Sequence, residues 1–339
     1  MNRYLTPARL AIAGLALILL VALVLWLVPS NSYLLLPDQA RPVAPLVKVP
    51  KDKAKGDDKG RIYFLAVLVR KANLLERLIP AIRGDGATLV PASALRPPGV
   101  SEGTQRKIDE HAMSESQSVA AAVVLQALHR DVGITPAGAP VDQVVRQMPA
   151  SGKLRSGDLI VGLDGKPVQT SCGLRNLMAS KRPGQEIRLA VKRGDSVRQV
   201  TLRPVADPSE HDRAVIGILL GQNMHVRLPF PIKINAGTVT GPSAGLAFAL
   251  EIMEKLGHNV DRGYRVAATG ELQLGGCVLP IGGVKQKTIE ARRSHVDILL
   301  VPAGDNAAEA RKYAGTMRVI AVNTFQQALR RLATVPPKA

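Results

Sequence analysis

Aromatic residues make up only 3% of the 339-residue chain, which leaves no row of stacking platforms of the kind that hold unpaired bases. Acidic residues are also scarce, 27 against 45 lysines and arginines, for a formal net charge of +18. A field of that size attracts nucleic acid, anionic lipid or acidic polymer non-specifically. The excess is spread along the chain, however: residues 130–205 alone hold 13 Lys/Arg against 6 Asp/Glu. No recognition helix is singled out, so no specific nucleic-acid partner is expected. There are only two cysteines, Cys172 and Cys277. Their separation fits neither a metal-ligand spacing nor a disulfide framework, and both read as small core residues. No Gly-x-x-x-x-Gly-Lys-Ser/Thr phosphate loop occurs, so an ATP-driven step within these residues is not expected. No motif calls for a metal or other cofactor.

What the sequence does contain begins with an apolar run. Leu10 to Val28 is 19 residues without a charge, preceded by Arg3 and Arg9, close to the roughly 20 helical residues that cross a bilayer. The run exceeds the apolar stretch of a typical cleaved signal peptide, and Trp26-Leu27-Val28-Pro29-Ser30 offers no small-x-small cleavage site. Residues 1–29 are therefore expected to be a cytoplasmic tail and signal anchor. With the arginines ahead of the span, the rest of the chain faces the extracytoplasmic side.

Residues 30–61 read as a linker, with the charged run Lys51 to Lys59 and a possible strand near Tyr33–Leu36. Residues 62–129 read as a strand and helices packing with the catalytic region. Ile62 to Val69 is one β-favouring run, and Asn73 to Ile82 has apolar residues at 74, 75, 78, 79 and 82, a helical spacing. Ser114 to His129 reads as a helix with capping chemistry at its start.

Residues 130–206 switch to short β segments between Gly and Pro turns. Within them, Leu154-Arg155-Ser156-Gly157-Asp158 leads to Leu159–Leu163 and then Asp164-Gly165. This stretch resembles the PDZ family, which implies binding of an extended peptide as an added strand. The carboxylate-holding loop is open between Val132-Gly133-Ile134 and Gly138-Ala139-Pro140-Val141, and the module can equally act as a spacer or gate.

From residue 207 to 336 the pattern is strand, loop, helix, strand, turn, helix. The loop Gly241-Pro242-Ser243-Ala244-Gly245 enters a helix with apolar residues at Leu246, Leu250, Met253 and Leu256. Taken alone, Ser243 is either a helix cap or a nucleophile placed where unpaired N–H groups favour negative charge. Downstream stand Thr269-Gly270-Glu271 and Leu279-Pro280-Ile281-Gly282-Gly283-Val284-Lys285-Gln286-Lys287. In that order, over about residues 212–335, these motifs resemble the Lon proteolytic domain. The arrangement of span, PDZ module and Lon-type domain resembles the bacterial membrane-anchored PDZ–Lon peptidases.

The resemblance implies an α+β fold and peptide-bond hydrolysis with Ser243 as nucleophile and Lys287 as base. Thr269 would hydrogen-bond near the lysine amine, and Gly241 and Gly245 would shape the loop. Helical spacing separates the two lysines. Val284, Lys287, Thr288 and Ala291 share a mostly apolar stripe, whereas Lys285 shares a stripe with Ile289 and Arg292 and is expected to reach solvent. One departure is Thr238-Val239-Thr240, where the family commonly has Pro-Lys-Asp. The expected partners are accessible protein or peptide segments. The alternative function is a non-catalytic peptide-binding envelope anchor that keeps the fold. Oligomeric state and physiological substrate are not legible.

Overall fold

The structure, a computed structural model, describes residues 7–50, 52, 54, 61–95, 100–207, 212–221 and 225–338. Arg3, the Arg9 side chain and most of the charged run 51–59 lie outside the described residues. The chain begins with α1 (Pro7–Leu27), an apolar helix of about 30 Å at 1.5 Å per residue. None of its apolar window is buried in the protein, and by length and composition it can cross a membrane.

No spacer follows. Strand β1 (Pro29–Pro37) starts two residues after the helix. The run Ile62 to Val69, expected as one strand, is divided between two sheets. β2 (Ile62–Phe64) enters the main sheet, and after Leu65 and Ala66 the chain forms β3 (Val67–Asn73), antiparallel to β1. The helix expected over 73–82 is only α2 (Leu74–Leu78), capped by Asn73, followed by a 3-10 turn at Pro80–Ile82. Pro80 cannot donate to the ladder and ends the helix. With β4 (Thr88–Pro91), which pairs with β1, this makes a small sheet of order β3-β1-β4. Helix α3 (Glu102–Ala127) starts earlier than expected, at a Ser101 cap.

The PDZ-like module has its own core, from Ala139 to Ile216, built of Leu, Ile and Val. Its strands are β5 (Ala139–Val144), β6 (Leu159–Leu163), β7 (Ile187–Arg193), β8 (Ser196–Leu202) and β9 (Ile218–Leu220), in the order β8-β7-β6-β5-β9, with helix α4 (Ser171–Met178) against them. The sheet thus takes in residues on both sides of position 206. Asp158, fully buried, binds Arg193 Nε at 2.6 Å and accepts from the Arg155 N–H at 3.0 Å, which fixes the turn into β6.

The remaining elements are α5 (Gly245–Lys255), β10 (Val266–Ala268), α6 (Val284–Arg293), β11 (Ile298–Pro302), α7 (Asp305–Tyr313), β12 (Arg318–Val322) and α8 (Phe325–Ala333). Parallel pairing runs β2-β10-β11-β12, and the short strand Arg41–Pro42 adds antiparallel to β2. Parallel strands covered on both faces demand nearly continuous apolar sequence, and Ile298–Pro302 is buried at every position. One face carries α5 and α3, with Phe64 and Phe248 at the centre of the larger core. On the other, Val284 and Ala291 of α6 and Ala307 and Ala310 of α7 share a second core with Leu299 and Val301. The architecture is α+β, as the sequence implies.

Cys172 and Cys277 are joined by a disulfide, contrary to their reading as unlinked core residues. The bond staples the start of α4 to the loop Gly275-Gly276-Cys277 of the neighbouring domain. A side chain at Gly275 would come within 2.6 Å of Thr170 Oγ1 and 3.0 Å of Cys172 Cβ, so the close approach of the two domains requires glycine there. Closing a loop of this length stabilises the folded chain by roughly 4–5 kcal/mol in the chain-entropy account.

Candidate active site

The loop Gly241–Gly245 is held from two sides. Gly241, at φ +86°, makes a turn that disfavours any side chain, and its N–H donates to the Asp109 carbonyl of α3 at 2.9 Å. One residue on, the Pro242 carbonyl accepts from buried Ser116 Oγ at 3.1 Å. Gly245 lets the loop pack closely, because a Cβ there would stand 2.8 Å from Ser116 Oγ and 3.1 Å from Leu272 Cβ. Pro242–Ala244 forms a 3-10 turn that runs into α5.

Ser243 therefore sits at the head of α5, but its hydroxyl does not cap the helix, whose N-cap position is Ala244 with no side-chain bond. The hydroxyl instead accepts from Lys287 Nζ at 2.8 Å. The same amine donates to Thr269 Oγ1 at 3.2 Å, and Thr269 Oγ1 donates to the Ser243 carbonyl at 3.3 Å. The Gly270 N–H binds that carbonyl at 2.8 Å. Ser243, Thr269 and Lys287 thus meet, with Gly241 and Gly245 shaping the approach.

Lys287 projects from the first turn of α6. Gly283, at φ +69°, starts that helix in a left-handed conformation, and a Cβ there would stand 2.6 Å from Val67 Cγ2. The Lys287 residue is 4% exposed, and Val284, Thr288 and Ala291 on the same stripe are buried. Burial disfavours the charged amine and pulls its pKa from the ordinary 10.5 to about 7. Lys285 leaves the other side of the helix. Contrary to the expectation that it reaches solvent, it is half-buried against β4, 3.4 Å from both the Ala87 carbonyl and Thr88 Oγ1.

A cleft of about 420 Å³ opens onto this group. Thr238, Val239 and Thr240 line one side, and Val67, Leu68 and Val69 of β3 the other. β3 is the edge of its sheet, so alternate main-chain N–H and C=O groups face away from β1. The wall from β3 and the clamp from α3 come from sequence well outside the Gly-Pro-Ser-Ala-Gly, Thr-Gly-Glu and Lys-x-Lys motifs. Their only sequence signals were apolar periodicity and serine composition, neither of which points to a site.

Residues 217–334 match the Lon protease (S16) C-terminal proteolytic domain, and residues 106–203 match the PDZ domain. One chain thus carries a region like the PDZ domain and, after it, a region like the Lon proteolytic domain. It is 36% identical over 115 residues to Lon protease 2 of Bacillus subtilis, covering 34% of this chain and 20% of that protein. To Lon protease 1 of Sorangium cellulosum it is 31% identical over 171 residues, covering 47% of this chain and again 20% of the other. The chain therefore spans about a fifth of the length of these relatives. A crystal structure of the PDZ domain of an SdrC-like protein from Listeria monocytogenes is 31% identical, covering 25% of this chain and 90% of that chain, with a TM-score of 0.24.

The two domains are interleaved. The PDZ match starts inside α3, whose buried residues lie in the core of the peptidase domain. β9 falls within the Lon match but pairs with β5 of the PDZ sheet. Neither carboxylate-loop candidate lies on the open edge of that sheet. Gly133–Thr135 pairs with His225–Arg227, and the Gly138 N–H is bound by the Gln169 carbonyl. Among the described residues the open edge beside α4 is β9. It is entered through Ile216-Gly217-Ile218, and Ser171 Oγ of α4 donates to the Gly221 carbonyl at its far end at 3.0 Å.

Proposed function

We propose that the chain is a membrane-anchored serine endopeptidase that hydrolyses accessible protein segments with Ser243 as nucleophile and Lys287 as general base. The observation that carries this reading is the 2.8 Å contact between the Ser243 hydroxyl and an amine whose burial brings its pKa to about 7. A neutral amine accepts a proton where an ordinary lysine cannot. Ser243 Oγ attacks the scissile carbonyl carbon as its proton passes to Lys287 Nζ. The tetrahedral oxyanion forms beside the 3-10 turn and the N-terminus of α5, where main-chain N–H groups favour negative charge. Collapse expels the amine, which takes the proton from the lysine. Water, deprotonated by the Lys287 amine that this leaves neutral, then attacks the ester carbonyl; the acid product leaves as Ser243 Oγ takes the proton back from Lys287 Nζ. Thr269 orients the amine.

An anchored, extracytoplasmic enzyme is favoured by two features. Folded structure starts at Pro29, and Ser30 Oγ is already buried against the Ala72 carbonyl at 2.8 Å, so a processing enzyme would meet no exposed spacer. A structural disulfide between the two domains also suits an oxidising compartment. The lack of a phosphate loop in these 339 residues supports action without ATP. The open edge of β9 is the place for an added peptide strand on the PDZ domain. The test is hydrolysis of an unfolded protein by the purified chain. Ser243→Ala and Lys287→Ala should each remove turnover while the fold survives, and Lys285→Ala should keep a substantial part. Absence of turnover in the unaltered protein would leave the non-catalytic anchor.

A further inference from the structure

Five consecutive apolar residues, Leu78-Ile79-Pro80-Ala81-Ile82, all face outward. The three large ones are 65%, 43% and 41% exposed. An exposed apolar run of this length marks a surface that is covered in the working protein. The run is held on a fixed platform. Asn73 and Glu76 close a capping box on α2. The buried Glu76 carboxylate accepts from Arg70 Nη1 at 3.0 Å. Beyond the run, Arg83 turns back to bind the Glu76 carbonyl at 2.6 Å and the Arg77 carbonyl at 2.9 Å.

The platform's position indicates what covers it. The Leu74 N–H donates to the Val28 carbonyl at 3.0 Å, and α2 packs beside the end of α1. The apolar run therefore lies at the level where the spanning helix leaves the bilayer, with exposed Arg77 at its edge. Aliphatic side chains bordered by a cation match a lipid interface, where the chains enter the acyl boundary and the guanidinium meets phosphate.

We propose that residues 77–83 form a second membrane contact, with Leu78, Ile79 and Ile82 inserted into the leaflet from which α1 emerges. This rests on the reading of α1 as an anchor. It makes the peptidase domain lie on the membrane at two points instead of swinging on one. β3 connects the cleft wall at Val67 to the platform at Asn73, six steps of about 3.3 Å. The cleft is then held no more than about 20 Å from the headgroups, and the substrates are membrane-proximal segments.

The chain's single tryptophan, Trp26, allows a direct test on the full-length protein in phosphatidylglycerol-containing vesicles with lipids brominated high on the acyl chain. In the unaltered protein Trp26 reports the anchor. In Trp26→Phe/Ile82→Trp, and separately Trp26→Phe/Leu78→Trp, the new indole should be blue-shifted and quenched by bromine. Quenching of Trp26 without quenching at either new position overturns the second contact, including the case of a blue-shifted, unquenched indole, which would mean a second copy of the chain covers the run. An unquenched Trp26 would instead remove the anchor reading itself. Leu78→Ser/Ile82→Ser should slow cleavage of a lipid-tethered peptide severalfold and leave cleavage of a free peptide unchanged. Equal rates on the tethered peptide would overturn the height-setting role.

Discussion

Removing the buried amine with Lys287→Met changes two measurable quantities whose pH dependences are linked. The shift from 10.5 to about 7 corresponds, at about 1.4 kcal/mol per pH unit, to roughly 5 kcal/mol between the charged and neutral forms in the fold. Between about pH 7 and 10.5 the unfolded chain binds a proton at this lysine that the folded chain does not. Stability of the unaltered protein should therefore rise with pH through that window. Below about pH 7 both states are protonated and the folded state bears the whole penalty. Methionine carries none of it, but it forfeits the hydrogen bonds to Ser243 and Thr269, each worth about 1 kcal/mol. Lys287→Met should thus be more stable than the unaltered chain by about 2–4 kcal/mol at pH 6, and the difference should vanish at about pH 9, where the remaining penalty equals the two lost hydrogen bonds. Urea unfolding in detergent, followed by circular dichroism at several pH values, measures this. Peptidase activity reports the same group from the other side: kcat/KM should rise tenfold per unit up to about pH 7 and then level off. Lys287→Met less stable than the parent at pH 6, or activity that climbs without a plateau to pH 10, would refute a neutral, buried base.

Further outcomes follow from single contacts. Thr269→Val keeps the shape but not the hydroxyl, and should lower kcat by roughly tenfold with little change in KM, read from initial rates. Gly283→Ala forces a Cβ to within 2.6 Å of Val67 Cγ2 at φ +69°. It should cost on the order of 2–3 kcal/mol and disturb the cleft wall, seen as a lower urea midpoint and a raised KM. Cys172→Ser/Cys277→Ser should lower stability by roughly 4–5 kcal/mol, and reductant should then have no additional effect on the variant's unfolding curve.

That Ser243, Thr269 and Lys287 come together was legible through the family resemblance that the motifs carry, and helical spacing separates Lys287 from Lys285. A stripe of Val284, Thr288 and Ala291 implies burial, and burial is what a lysine base requires. The cleft wall was not legible. Ile62 to Val69 reads as one strand, since apolar patterning does not register that the chain leaves one sheet for another at Leu65 and Ala66. Residues 74, 75, 78, 79 and 82 have the period of a helix with a buried face, yet the structure turns the last three outward, because Pro80 stops the helix before that face can form. Lys285 was misread because its helix face meets β4, a strand nearly two hundred residues earlier. Two cysteines 105 residues apart carry no spacing signal, because their pairing depends on how two domains meet. The open strand beside α4 was missed for a related reason: β9 comes after the stretch that reads as PDZ, so the module borrows it from sequence that reads as peptidase.

The disulfide also determines what a cut would do. Ser243 lies inside the loop that Cys172 and Cys277 close, and Lys287 lies ten residues beyond it. A single scission between Cys172 and Ser243 leaves both members of the pair on the C-terminal piece, while α1 stays on the other. In an oxidising compartment the two pieces remain covalently joined, so the nicked chain keeps α1 and migrates as one species until reduced. Reduction after such a cut would leave only non-covalent pairing, chiefly β2 in the main sheet and α3 against α5, to hold the peptidase domain in place.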